Sequence, residues 1–165
     1  MATLTKSFTM LNQSPQLNLC WAAAVASTCN YLDGKKSLTK CAVAQDRRPP
    51  PAAVDCCANL DQCDVEGSVS QSLSQRRRLR QVGQGKPPIQ KIKDEIDNDK
   101  PVCVRIQWLS TGVGHFVAIT GYSGDPGSEM IQVKDPLFTD RSVDFGSFPA
   151  QYETGADWTH TIFTK

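Results

Sequence analysis

The chain has 165 residues, 39% of them hydrophobic and 21% charged, with a formal net charge of +1. That length fits one domain, residues 1–165, built around one main core. A charge so near zero gives no electrostatic reason to expect nucleic acid or an anionic membrane, and no stretch approaches the ~18 apolar residues that cross a bilayer. Residues 1–12 predict an extended lead-in without the charged-then-apolar pattern of a secretory signal. Asn12 to Asn18 reads as a loop around Pro15. The Ala-rich segment CWAAAVASTCNYL then opens at Cys20 and predicts a buried helix: Ala is the best helix former, no Gly or Pro interrupts it, and Asp33-Gly34 ends it.

Residues 35–66 predict irregular structure with at most one short helix, and include the run Arg47, Arg48, Pro49, Pro50, Pro51. Ser68 to Val82 predicts a helix, with Arg76, Arg77, Arg78 and Arg80 as a solvated face. Ile89, Ile92 and Ile96 recur at helical spacing. Beyond residue 100 the pattern changes. Val102, Val104 and Ile106 alternate as in a strand, HFVAITGY (115–122) predicts a second, Met130 to Val133 a third, and WTHTIFTK (158–165) a closing one. Helices first and strands later predict an α+β architecture.

Seven cysteines are many for this length. Cys29 and Cys103 sit among apolar residues and read as core. Cys41, Cys56, Cys57 and Cys63 fall in one polar stretch and predict a disulfide-stapled loop in an oxidising setting. Adjacent cysteines rarely bond each other, so two pairings are open: 41–56 with 57–63, or 41–57 with 56–63. The spacing does not match a zinc site, which repeats C-x2-C or adds histidines.

Cys20 is the candidate nucleophile. A helix N-terminus favours negative charge, and the free N–H groups of its first turn can donate to an oxyanion. His115 is the candidate general base, because a thiolate needs an imidazole to hold its proton and return it to the leaving amine. His160, in an alternating strand, reads as structural. Asp135 follows the strand after His115, and the hairpin between Tyr122 and Met130 brings it back past the imidazole as an orienting acceptor. Trp21 reads as core, and Trp108 as either core or cleft.

These segments together, QSPQLNLCWAA, GHFVAITGY and VKDP, resemble the bacterial papain-like cysteine peptidases, the compact branch with plant-pathogen effector proteases and the peptidase domains of bacteriocin exporters. The order Cys, His, Asp is the papain order. The cysteine-rich segment from Cys41 to Asp64 resembles the insert of secreted members, and Glu95-Ile96-Asp97, Lys100-Pro101-Val102 and Trp158-Thr159-His160-Thr161 extend the similarity across most of the chain. The resemblance implies a two-lobed papain-like fold. A helical lobe (about 1–97) would carry Cys20 at the head of its central helix, and an antiparallel sheet lobe (about 98–165) would carry His115 and Asp135. It also implies peptide-bond hydrolysis through an acyl-enzyme by a monomer, without cofactor or metal, on a peptide or protein substrate. A Gln before the Cys would stabilise the oxyanion. Papain-like enzymes place it six residues before the Cys, where this chain has Ser14; Gln13 is the expected donor, with Gln16 the alternative. A deamidase or transglutaminase-type effector or toxin, or a non-catalytic binding module, are the alternative readings of such a fold.

Overall fold

The computed structural model describes residues 1–47 and 54–165. Of the run from Arg47 to Pro51, all but Arg47 therefore lies outside the described residues. In chain order the elements are β1 (Ala2–Thr3), α1 (Cys20–Asp33), α2 (Lys40–Asp46), a short 3-10 turn (Leu60–Cys63), α3 (Val69–Gln75), β2 (Leu79–Gln84), α4 (Ile89–Asp97), β3 (Val102–Trp108), β4 (Gly114–Ser123), β5 (Met130–Lys134), β6 (Arg141–Asp144) and β7 (Ala156–Thr164). The strands form one seven-stranded sheet in the order β2-β7-β3-β4-β5-β6, with β1 added against β4, and all pairings are antiparallel. The expected α+β class is observed.

The sheet has helices on both faces. Val102, Val104 and Ile106 share one face and meet Ile92 and Ile96 of α4. Cys103 points the other way and, with Phe116 and Ile162, packs under α1. Each aliphatic side chain buried fully in this way contributes about 1.5–3 kcal/mol. α1 is buried nearly all round because the sheet, α2 and α3 enclose it. Its end is fixed by Gly34, whose φ of 64° lets the chain turn left and return the Lys35 N–H to the Asn30 carbonyl at 3.0 Å.

Three elements depart from expectation. The helix expected over 68–82 ends at Gln75, and the chain reverses at Arg77, whose φ is 57°. Residues 79–84 then run as an edge strand on β7. The arginines that were to line a helix face are instead distributed among three acids: Arg76 pairs with Asp46, Arg78 with Asp33 and Arg80 with Glu95. β6 was not foreseen, because RSVD lacks alternation and half of it faces water. The C-terminal strand β7 closes the chain but not the sheet, since it lies between β2 and β3.

Of the two open cysteine pairings, Cys41–Cys57 and Cys56–Cys63 are formed. Their sulfurs are thereby withdrawn from metal binding. Cys20, Cys29 and Cys103 are free and buried.

Candidate active site

Cys20 is the first residue of α1, and Leu19 before it offers no side-chain cap. The helix therefore begins with its N–H groups and positive dipole end at the thiol. His115 is the second residue of β4. Pairing of Ala118 with Lys134 returns the chain antiparallel, so Asp135, one step beyond β5, arrives beside the imidazole. His115 Nε2 lies 2.9 Å from Asp135 Oδ1. That commits Nε2 to the carboxylate and leaves Nδ1 for Cys20, which lines the same pocket. Cys20, His115 and Asp135 are each nearly inaccessible to water.

Asp135 is held from several sides. Its Oδ1 also accepts the N–H groups of Leu137 and Phe138 at 2.8 and 3.0 Å. Its Oδ2 accepts the Tyr152 hydroxyl at 2.8 Å. Burial alone would raise this carboxyl, but the bond from His115, its charge and the two backbone donors hold it below the usual range. His115 shows the converse. Burial pushes the imidazole down, yet its hydrogen bonds to Asp135 and Cys20 and their charges carry it up to about 9. Such a ring is an imidazolium at neutral pH, the partner a thiolate requires.

Aromatic rings enclose the pair. Trp108 stacks on His115 with centroids 5.4 Å apart, Phe138 meets it edge-on at 6.2 Å, and Tyr152 lies parallel to Trp108 at 6.3 Å. Trp108 is thus a cleft residue. Trp21 is core, as expected, but its ring also reaches the cleft wall: a Cβ at Gly67 would fall 2.2 Å from it, and its Nε1 donates to the Val65 carbonyl. Tyr152 and Phe138 were missed. Neither lies in a motif, and only the folded hairpin shows their proximity to residue 115.

The two glutamines separate clearly. Gln13 lines the same pocket as Cys20 and His115, and its side chain is buried with Oε1 lacking a partner among the described residues. Its Nε2 donates to the Leu17 carbonyl at 3.1 Å and the Gln16 carbonyl at 3.3 Å. Gln16 turns away and donates to Asp61 at 2.8 Å. The stapled cysteine segment braces this loop. Asp64, directly after Cys63, accepts the N–H groups of Leu17 at 2.9 Å and Asn18 at 2.7 Å. Lys40 holds the Gln13 and Ser14 carbonyls from the other side.

A family model described as "Peptidase_C39 like family" matches residues 5–160. No curated protein matches the chain. The match spans every helix and the strands from β2 to the middle of β7, and with them the segments that carry Cys20, His115 and Asp135. The chain therefore belongs to the Peptidase_C39 like family of papain-like cysteine peptidases.

Proposed function

We propose that this chain hydrolyses peptide bonds with Cys20 as nucleophile, His115 as proton carrier and Asp135 as the residue that orients the imidazole. The observation that carries the reading is His115 sharing one pocket with the thiol that begins α1 while its Nε2 lies 2.9 Å from a fixed carboxylate. The Cys20 thiolate attacks the scissile carbonyl carbon. The resulting oxyanion faces the Cys20 backbone N–H and the Gln13 amide, which would exchange its longer contact, 3.3 Å to Gln16, for the substrate. His115 then protonates the leaving amine, the C–N bond breaks and a thioester remains. Water attacks that thioester as His115 removes its proton, releasing the acid and restoring the ion pair. Gln13 is preferred to Gln16 because it alone of the two lines the pocket.

The two disulfides support action in an oxidising compartment, where such bonds persist. The site and its supports draw on residues spread from Gln13 to Tyr152, which favours a single working unit over residues 1–165. The test is intact-mass spectrometry after brief iodoacetamide treatment of wild type, Cys20→Ala and His115→Ala. One fast adduct at Cys20, slowed at least about tenfold without His115, is expected; equal rates would remove His115 from the mechanism. Mass analysis of peptide products then separates hydrolysis from deamidation, which would release ammonia and leave the chain intact.

A further inference from the structure

A second pocket adjoins the one that holds Cys20. The two share Gly67, Arg105 and Phe116, so a peptide lying across Cys20 reaches the second without leaving the cleft. The polar groups lining it come from Ser68, Ser70, Arg105 and His160, with no carboxylate. Glu66 lines the Cys20 pocket but not this one.

Arg105 is built into the place. It follows Cys103 at the strand period of two, so it points to the α1 face of the sheet. A bulge between Arg105 and Ile106 gives β7 one extra residue, Thr159. The Thr159 hydroxyl accepts from Arg105 Nη1 at 3.0 Å and donates to the Arg105 carbonyl at 3.0 Å. Gly114 leaves the guanidinium its space, since a Cβ there would lie 2.5 Å from Nη2. The cation thus rests on the backbone one residue before His115.

His160 is the register partner of Arg105, and residues directly opposite share a face. The Thr159 hydroxyl also lies 3.1 Å from His160 Nδ1, so one hydroxyl joins the two basic side chains that line the pocket. Arg105 is half-buried and always charged. Among the described residues it makes no ion pair, whereas Arg76, Arg78, Arg80 and Arg141 each hold a carboxylate and Arg47 and Arg77 stand in water. A half-buried guanidinium that pairs with no described carboxylate, in a pocket open to the reacting thiol, is free to take an anion.

We infer that this pocket selects an acidic side chain of the substrate, with Arg105 as the residue that reads it. The inference rests on the peptidase reading of Cys20. The position lies on the acyl side of the scissile bond. That side follows from His115, which protonates the leaving amine in the proposed mechanism: it and the stacked Trp108 line the Cys20 pocket and not the second one.

The test uses peptidyl acyloxymethyl ketones that alkylate Cys20, with Glu, Gln, Leu or Lys at the first or second residue before the reactive carbonyl. Wild type, Arg105→Gln, Arg105→Lys and Arg105→Glu are compared by adduct rate, and the Leu probes report whether each variant remains folded and reactive. The Glu probe is expected to outpace the Gln probe by about tenfold at one position. That preference should vanish in Arg105→Gln, persist in part in Arg105→Lys and turn toward Lys in Arg105→Glu. A wild type indifferent to the acid at both positions, or a preference that survives Arg105→Gln, overturns the assignment. No labelling at Cys20 by any probe, or by iodoacetamide, would instead overturn the peptidase reading itself and the subsite with it.

Discussion

Asp135 divides its two oxygens unequally. Oδ1 serves His115, Leu137 and Phe138, while the donor on Oδ2 is Tyr152. Burial, reinforced by the Asp135 charge, holds the Tyr152 phenol well above its ordinary range, so it remains a donor wherever the enzyme folds. Tyr152→Phe should therefore strand a buried carboxylate oxygen. The expected cost is about 1–3 kcal/mol, read from denaturant midpoints, with a drop in kcat/KM as Asp135 loses its fixed orientation. An unchanged kcat/KM would make Tyr152 merely structural. The same pair sets a pH window. His115 is raised from its ordinary 6.5 to about 9, so the stability it contributes is fully present below about pH 6.5 and lost as pH climbs through about 9. Asp135 is depressed, so its contribution is present above the ordinary carboxylate range and lost as pH falls through its lowered value. Unfolding free energy measured across pH should fall on both sides, and His115→Gln should flatten the alkaline side. The thiol and the imidazole were legible in the sequence because each lies at the head of a regular element, Cys20 first in α1 and His115 second in β4. Tyr152 was not, since it lies in an irregular turn 17 residues beyond Asp135 and carries no periodic signal.

At the scale of elements, legibility followed burial. The Ala-rich helix and the strands with apolar alternation are buried, and their boundaries were read within a few residues. β2 and β6 are edge strands whose residues mostly face water, so neither shows a period; the arginines of 76–80 find their acids only after folding. The cysteine segment was recognised as stapled, but its purpose was not. It carries Asp61 and Asp64, which tie down the loop that leads into Cys20. Asp64→Ala leaves two backbone N–H groups of that loop without their acceptor. The expected result is a loss of about 1–3 kcal/mol in stability together with slower Cys20 alkylation, because the loop also carries Gln13. Retention of the wild-type alkylation rate at a lowered unfolding midpoint would separate the brace from the site.

For the molecule as a whole, seven cysteines occupy three environments that chemistry can count. Four are in disulfides, two of the free thiols lie in the core, and one opens the cleft. Burial pushes both Cys29 and Cys103 up to about 11, and Cys103 is packed against the Thr28 hydroxyl beneath α1. Neither is a thiolate at neutral pH, and neither can be reached without separating α1 from the sheet. Brief alkylation of the native protein should add one group, alkylation in denaturant three, and alkylation in denaturant after reduction seven. The second step reports the global opening of the helix–sheet interface, so its rate should track the unfolding equilibrium and fall as stability is raised. Two or three fast adducts on the native protein would mean that α1 leaves the sheet readily. A helix so loosely held would not keep Cys20 against His115, because the same packing of α1 on β4 buries the two core thiols and positions the third.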